Sequence, residues 1–312
     1  MSDTNAKPDV TVADAVGGNW VDTHAPNSWR PYLRLARLDR PIGWWLLMWP
    51  CQWSVALAAV AAGMALPNLW HVFLFWVGAV VMRAAGSTWN DILDRNIDGH
   101  VERTRNRPIP SGQVTAKQAL VFAIALSLIG FLVLIQFNPF TILLGIGSLA
   151  IVAIYPLMKR ITMWPQAVLG LAFSWGALVG WAATFGSLSL APVLLYCGAI
   201  LWTIGYDTIY AHQDRRDDAI IGVRSTARLF DDHTRAWLVG FYGLAVAFWC
   251  AAFWLAGAGL PAFIGLGMAM AHMARQITLF DPEDRALCLD LFRSNRWLGW
   301  LPFLGLVADA AL

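Results

Sequence analysis

The sequence predicts an all-α fold that crosses a membrane many times. Hydrophobic residues make up 58% of the 312-residue chain, charged residues make up only 13%, and the mean hydropathy is +0.55. A soluble domain cannot hide that much apolar surface from water, so the composition indicates a bilayer. Eighteen Trp and sixteen Phe support this prediction, because indole rings favour the headgroup boundary. A lipid bilayer is therefore the expected partner, and no nucleic-acid partner is expected.

The first 28 residues are polar and differ from the rest of the chain. They contain four Asp but only Lys7 as a base. This composition fits neither a signal peptide nor an Arg-rich, acid-poor transit peptide. We therefore expect residues 1–28 to form a disordered cytosolic tail and residues 29–312 to form the membrane domain.

Nine apolar stretches follow the tail. Each is long enough to cross the bilayer, since a helix rises about 1.5 Å per residue and the hydrocarbon core is about 30 Å thick. They lie near residues 42–63, 67–89, 118–136, 139–157, 164–185, 190–211, 234–256, 260–280 and 295–312. The short turns at Asn138-Pro139 and Gly259-Leu260-Pro261 predict helical hairpins. The sequence thus predicts nine transmembrane helices.

The connections between these helices differ in charge on the two sides of the predicted membrane. The connections near residues 66–68, 137–139, 186–188 and 257–259 carry no Lys or Arg. All 22 basic residues lie in the tail, in the other connections, or near a helix end on that same side. By the positive-inside rule, we expect a bacterial inner (plasma) membrane with the N-terminus and the long loops in the cytosol.

The connection after the second predicted helix contains the first group of candidate site residues. Asn90, Asp94 and Asp98 fall at positions i, i+4 and i+8, so their oxygens share one face of a helix. Asp91, at position i+1, lies at the edge of that face. This face predicts a cluster of oxygen ligands at the end of the helix.

A second acidic motif follows the sixth predicted helix. Asp207, Asp214 and Asp218 fall at i, i+7 and i+11, again on one helical face. The offset from Asp94 to Asp214 equals that from Asp98 to Asp218. The two motifs therefore indicate a diverged internal repeat that presents two acidic faces to each other.

The chemistry of these motifs favours a hard cation. Oxygen ligands with no His or Cys nearby suit Mg²⁺, which typically binds through a few carboxylates plus substrate phosphates. Two acidic faces are therefore expected to clamp a diphosphate through bridging metals. Arg103, Arg107 and Lys159 can reach the phosphate oxygens and would neutralise charge as the diphosphate departs.

These motifs resemble those of the UbiA superfamily of intramembrane aromatic prenyltransferases. The resemblance rests on the pattern from Asn90 to Asp98, on Arg103-Thr104-xx-Arg107-Pro108 and on Asp214-xxx-Asp218, and it extends from about Tyr32 to Leu312. Within the superfamily, three segments are similar to the 4-hydroxybenzoate polyprenyltransferases of ubiquinone biosynthesis. They are residues 39–44, 155–160 and 206–211.

The resemblance implies a nine-helix fold, two Mg²⁺ ions, a polyprenyl diphosphate donor and alkylation of 4-hydroxybenzoate ortho to its hydroxyl. The residues with an implied role in metal binding are Asn90, Asp94 and Asp98 for one ion and Asp214 and Asp218 for the other. The residues with an implied role in holding the diphosphate are Arg103, Arg107 and Lys159. Tyr155 and Arg160 match positions near the reacting carbons and the acceptor.

The mechanism adds two expectations about the acceptor. Arg160 is expected to pair with the benzoate carboxylate. Asp214 or Asp207 is expected to take the proton from the ring.

Other classes of protein also fit parts of the sequence. A sibling enzyme of the haem, chlorophyll, menaquinone or tocopherol pathway would differ only in its acceptor pocket. A cation transporter or channel would carry acids at mid-helix depth, whereas these cluster at one membrane face. A membrane scaffold would give no reason for two acidic motifs at matched helical phase, although a single such motif in a loop is usually solvated surface.

Overall fold

The computed structural model describes residues 15–99, 104–215 and 222–312, and every regular element in these ranges is helical. The all-α prediction is therefore confirmed for this part of the chain. The helices are α1 (Trp20–Thr23), α2 (Arg30–Leu35), α3 (Ile42–Ala61), α4 (Leu69–Asp98), α5 (Ala116–Leu134), α6 (Pro139–Ile161), α7 (Pro165–Ser174), α8 (Gly176–Phe185), α9 (Leu190–Ala211), α10 (Thr226–Phe230), α11 (Thr234–Leu255), α12 (Leu260–Leu279), α13 (Arg285–Leu298) and α14 (Trp300–Ala310).

Seven helical segments in the described ranges are long and apolar enough to cross a membrane. They are Ile42–Ala61, Leu69–Asp98, Ala116–Leu134, Pro139–Ile161, Pro165–Phe185, Leu190–Asp214 and Thr226–Leu255. Each overlaps one of the first seven predicted spans. The multi-pass helical fold is thus confirmed, with seven candidate spans rather than a clear nine.

The last two predicted spans differ from the prediction. Helix α12 has 20 residues, but His272, Arg275 and Gln276 lower the hydropathy of its C-terminal half, and it is not among the seven candidates. The ninth predicted span is two helices, α13 with 14 residues and α14 with 11. Neither is long enough to cross the hydrocarbon core by itself.

The break between α13 and α14 lies at Gly299 and has identifiable causes. Pro302 has no N–H and so cannot continue the helical hydrogen-bond pattern. The indole Nε1 of Trp49 donates to the Arg296 carbonyl at 3.1 Å, and that of Trp53 donates to the Gly299 carbonyl at 2.7 Å. A Cβ at position 299 would lie 2.1 Å from the Trp49 ring, so this contact requires glycine.

Part of the predicted disordered tail forms structure. The Asn19 side chain caps α1 by accepting a hydrogen bond from the Asp22 N–H at 3.1 Å. The Asp22 carboxylate pairs with Arg34 at 2.8 Å, and Arg34 is almost fully buried. The prediction of disorder over residues 1–28 therefore does not hold for residues 15–28, because an arginine farther along the chain binds one of the tail's acids.

The chain divides into two compact units, Met1–Trp44 with Gly78–Leu132 and Trp45–Val77 with Val133–Leu312. In the first unit, α2 and the C-terminal part of α4 are held by a hydrogen bond from Ser87 Oγ to the Leu35 carbonyl at 2.8 Å. The apolar cluster around this contact is formed by Leu35, Ile92, Val114 and Ala119. This packing fixes the end of α4 on which the first acidic motif lies.

In the second unit, α9 and α11 approach closely at glycine positions. A Cβ at Gly198 would lie 2.5 Å from the Trp249 ring, and a Cβ at Gly205 would lie 2.3 Å from the Tyr242 ring. The Tyr242 hydroxyl donates to Gln276 at 2.9 Å. Small residues and interhelical hydrogen bonds are the expected means of association in a bilayer, where burial of apolar surface adds little between helices.

Candidate active site

The first acidic motif lies on one continuous helix, as its spacing predicts. Asn90, Asp94 and Asp98 belong to α4, which ends at Asp98. Asp94 is 1% exposed and Asp98 is 6% exposed, whereas Asn90 is half-buried. Thr104 Oγ1 donates to the Asp98 carbonyl at 2.9 Å and so satisfies an acceptor at the helix end. The structure therefore brings the three predicted oxygen ligands to one buried helix end.

Arg107 contacts this motif directly. Its Nη1 donates to Asp98 Oδ2 at 2.8 Å and lies 3.4 Å from Asp91 Oδ1. The side chain of Arg107 is only 12% exposed. The residue predicted to hold a diphosphate thus neutralises the acidic face. Arg103, the other predicted arginine of this segment, lies outside the described residues.

Asp91 has a second cationic partner that sequence reasoning missed. Arg37 Nη2 donates to Asp91 Oδ1 at 2.5 Å, and Asp91 is fully buried. Arg37 follows α2 and lies 54 positions before Asp91. Only the cluster of arginines at positions 34, 37 and 40 hinted at a role for this segment.

The second acidic motif begins on a helix and continues into a tighter turn. Asp207 lies on α9, which ends at Ala211, and Asp214 ends a 3₁₀ turn that begins at His212. Both Asp207 and Asp214 are half-buried. A 3₁₀ turn rotates about 20° more per residue than an α-helix, so the predicted phase of Asp214 relative to Asp207 is changed. Asp218 lies outside the described residues.

The C-terminal end of α6 carries the remaining predicted residues. Tyr155 and Lys159 are half-buried and Arg160 is exposed. The N–H of Arg224 donates to the Lys159 carbonyl at 3.0 Å, and its guanidinium donates to the Ile161 carbonyl. The chain beyond the second motif therefore returns to the end of α6.

The second unit holds the ends of α7, α9 and α10 together by side-chain hydrogen bonds. Thr208 Oγ1 lies 2.6 Å from Thr226 Oγ1, and the Thr226 N–H donates to Gln166 Oε1 at 3.1 Å. Tyr155, Lys159, Arg160, Asp207 and Asp214 all belong to this unit, whereas the first acidic motif and Arg107 belong to the other. The facing of the two acidic motifs stays a prediction.

The donor set of the first motif fits a hard cation. Its buried side chains offer only carboxylate and amide oxygens, which Mg²⁺ prefers. Within residues 15–99, 104–215 and 222–312, no group of three His, Cys, Asp or Glu side chains forms a metal cage by itself.

Solved structures share this fold. A UbiA homologue from Aeropyrum pernix K1, solved in its apo form, aligns with a TM-score of 0.70 at 25% identity over 84% of this chain and 97% of that chain. A UbiA homologue from Archaeoglobus fulgidus bound to DMAPP and Mg²⁺ aligns with a TM-score of 0.66 at 18% identity over 90% and 99% of the two chains.

Relatives with higher identity carry an enzymatic name. A protein of Drosophila pseudoobscura pseudoobscura named 4-hydroxybenzoate polyprenyltransferase, mitochondrial, is 49% identical over 284 residues, which are 91% of this chain and 71% of the relative. A protein of Arabidopsis thaliana with the same name is 46% identical over 290 residues, 93% of this chain and 71% of the relative. The expectation of a bacterial inner membrane with cytosolic loops is therefore wrong. The positive-inside rule compares two faces of a membrane and does not identify the organelle.

The sequence model of the UbiA prenyltransferase family matches residues 47–299. This range includes both acidic motifs, the arginine segment after the first motif and the end of α6. The family match agrees with the helical fold and with the sequence identity between this chain and the Drosophila and Arabidopsis relatives. The chain belongs to the UbiA prenyltransferase family.

Proposed function

We propose that this chain transfers a polyprenyl group from polyprenyl diphosphate to 4-hydroxybenzoate, at the ring carbon ortho to the hydroxyl, in a Mg²⁺-dependent reaction of ubiquinone biosynthesis. We further propose that it acts in a mitochondrial membrane, as its relatives do, and that nine helices cross that membrane. The seven candidate spans would be completed by α12 and by the broken pair α13 and α14.

One observation supports this function most directly. Asp98 Oδ2 lies 2.8 Å from Arg107 Nη1, and Asp94 is buried one turn earlier on the same helix, so carboxylates and a phosphate-binding group meet at one helix end. An acidic cluster alone would bind a cation, and an arginine alone would bind an anion. Their combination suits a metal-diphosphate complex, in which each component neutralises the other.

The residues assigned to the metal are Asn90, Asp94 and Asp98 for one ion and Asp214 and Asp218 for the other. Mg²⁺, when bound, would supply positive charge that stabilises the departing diphosphate. The residues assigned to the diphosphate oxygens are Arg103, Arg107 and Lys159. The acidic residues on α4 and beyond α9 would thus bind the donor indirectly, and the basic residues would bind it directly.

The reaction exchanges one bond for another. The allylic C–O bond breaks and its electron pair leaves with the diphosphate, whose charge Arg107 and Lys159 neutralise. The ring carbon beside the phenol hydroxyl then forms the new C–C bond. The proton on that carbon passes to the carboxylate of Asp207 or Asp214, which restores the aromatic ring.

The acceptor residues belong to the end of α6. Arg160 would pair with the benzoate carboxylate and orient the ring, and Tyr155 would lie near the reacting carbons. A hydrocarbon environment among the helices would keep water from the allylic cation. The long isoprenoid tail would lie in the same environment.

An acceptor panel tests this function. The purified chain, reconstituted in liposomes with a polyprenyl diphosphate and Mg²⁺, should prenylate 4-hydroxybenzoate. 4-Hydroxybenzyl alcohol should react with a lower specificity, because its hydroxymethyl group cannot form the charge-assisted hydrogen bonds that a carboxylate forms with the Arg160 guanidinium. Benzoate should not react at carbon, because its ring is too electron-poor to capture the cation.

An arginine variant with a matched control tests the assignment of the carboxylate partner. Arg160→Ala should reduce the preference for the acid over the alcohol and leave the metal requirement unchanged. Arg275→Ala removes an exposed arginine of α12 and should leave the preference intact. Equal use of the acid and the alcohol by the unmodified protein would indicate a sibling enzyme with another acceptor.

A further inference from the structure

We propose that Arg37 is a positioning residue of the active site, which acts by binding Asp91 and thereby leaves Arg107 available to the diphosphate. The inference rests on the proposed function and adds a residue that its assigned metal and phosphate ligands do not include. Arg37 also lies outside residues 47–299, over which the family model matches.

Arg37 occupies a backbone conformation that favours glycine. Its φ is +58°, one of two positive values among the described non-glycine residues. Arg37 N–H donates to the Arg34 carbonyl at 3.1 Å, and Leu38 N–H donates to the Leu33 carbonyl at 3.0 Å. These bonds form a Schellman motif, in which Arg37 takes the position that is usually glycine. Left-handed backbone is energetically costly for a residue that carries a Cβ.

Contacts of the Arg37 side chain offset the cost of this backbone conformation. It is 8% exposed and reaches from the end of α2 to Asp91 on α4. Its Nη2 donates to Asp91 Oδ1 at 2.5 Å, and its Nη1 donates to the Arg34 carbonyl at 3.3 Å. Strained residues of this kind persist where surrounding contacts hold them, and they cluster at functional sites.

Asp91 connects Arg37 to the acidic face. Asp91 Oδ1 also lies 3.4 Å from Arg107 Nη1, which binds Asp98 at 2.8 Å. Arg107 is thus shared between a carboxylate assigned to the metal and a carboxylate held by Arg37. Arg107 would exchange Asp98 for phosphate oxygens when a diphosphate binds, and Asp98 would then be available as a metal ligand.

Arg37 makes the transfer of Arg107 from the carboxylates to the phosphate oxygens favourable. Asp91 is fully buried, and a buried carboxylate requires a cationic partner. With Arg37 present, Asp91 is neutralised whether or not Arg107 has moved. Without Arg37, Asp91 would retain Arg107 as its remaining cation in this group and would compete with the diphosphate for it.

Binding of Mn²⁺ in the presence of inorganic diphosphate, followed by electron paramagnetic resonance on purified protein, tests this role without catalysis. Arg37→Gln and Arg37→Gly should weaken Mn²⁺ binding by about tenfold or more, the range seen when residues behind a metal ligand are lost. Arg37→Lys keeps a cation and should lose less. Arg37→Gly also keeps the turn, since glycine favours positive φ, and thermal unfolding should show that it folds.

A matched control comes from the same segment. Arg34 is also buried, and its ion pair with Asp22 at 2.8 Å lies within residues 15–44. Arg34→Gln should disturb the packing of this segment and leave Mn²⁺ affinity within about twofold, a change below 0.5 kcal/mol.

The outcomes separate this inference from the function it rests on. Wild-type protein that binds no Mn²⁺ with diphosphate would overturn the proposed function. Wild-type binding that Arg37→Gln and Arg37→Gly both retain would overturn the positioning role alone. An equal loss in Arg34→Gln would do the same, since it would show that Arg37 only supports the fold.

Discussion

Arg107 binds Asp98 through a hydrogen bond of 2.8 Å, so a predicted diphosphate ligand holds a predicted metal ligand. The side chains are 12% and 8% exposed. The ion pair stabilises both buried side chains, and it competes with binding of the diphosphate by Arg107 and of the metal by Asp98. Binding of the diphosphate and binding of the metal are therefore expected to depend on each other.

Arg107→Ala tests this relationship. The substitution should raise the KM for polyprenyl diphosphate by at least about tenfold and change the KM for 4-hydroxybenzoate much less, because a charge-assisted bond to phosphate is lost. Arg107→Lys should retain part of the affinity as a point charge. Steady-state kinetics in liposomes would measure both constants. An unchanged KM for the diphosphate would remove Arg107 from the donor site.

The acidic motifs are tested by nearly isosteric substitutions. Asp94→Asn and Asp214→Asn should each give a folded protein whose activity is about 100-fold lower, because each substitution weakens metal binding. Asp290→Asn, at an exposed position of α13, serves as the control for loss of one carboxylate. Near-normal turnover of either motif variant would contradict the two-metal assignment.

Removal of the metal gives a separate prediction. EDTA should abolish activity, and Mg²⁺ or Mn²⁺ should restore it. Zn²⁺ should restore it poorly, since the assigned ligands are oxygens without Cys or His. Activity measured after addition of each cation to chelated protein provides the comparison. Full turnover in excess chelator would exclude the metal from the reaction.

Asp39 gives a prediction about stability and pH. Burial raises the pKa of this fully buried carboxyl from 3.8 to about 6, although the Arg37 charge opposes the shift. Because the folded-state pKa exceeds the unfolded one, the group contributes stability below pH 3.8, and this contribution is lost as the pH rises through 6.

The stability of Asp39→Asn relative to the unmodified protein should therefore rise from pH 3.8 to about pH 6 and change little above about pH 7. The gain is at most about 3 kcal/mol, since one pKa unit corresponds to about 1.4 kcal/mol. Thermal unfolding in detergent at several pH values would measure it, with Asp290→Asn as the exposed control. A difference between Asp39→Asn and wild type that does not vary with pH would contradict the raised pKa.

The nine-helix proposal predicts which positions share a membrane face. In a background without the four native cysteines, single cysteines at the exposed positions Asn68 and Ser187 should react with an impermeant thiol reagent from one side of a sealed vesicle. Cysteines at Arg105 and Asp290 should react only from the other side. Labelling of Asn68 and Arg105 from the same side would disprove the topology.

Local signals in the sequence predicted much of the fold. Asn138 caps α6 by accepting from the Thr141 N–H at 3.0 Å, and Gly186 ends α8 at a φ of +64°. Both lie in turns that Asn, Pro and Gly indicated. The helical phase of Asn90, Asp94 and Asp98 was likewise correct, because spacing within one helix determines which residues share a face.

Features that depend on distant contacts were not predicted. The pairing of Arg37 with Asp91 requires a positive φ and spans 54 positions, and neither property appears in a spacing pattern. The break at Gly299 depends on two indole rings from the first span. The 3₁₀ turn that ends at Asp214 rotates this residue about the helix axis relative to Asp207. The predicted spacing had assumed one continuous α-helix.

The contacts of Trp49 and Trp53 with the α13–α14 break have a consequence for biogenesis. These indoles belong to the candidate span Ile42–Ala61, and the carbonyls at Arg296 and Gly299 follow them in the chain by 247 and 246 positions. The two indole N–H groups therefore lack these acceptors until the ribosome has synthesised residue 299. A chain truncated before residue 296 would lack both carbonyl acceptors permanently. The unpaired indoles would mark such unfinished molecules for quality-control proteases.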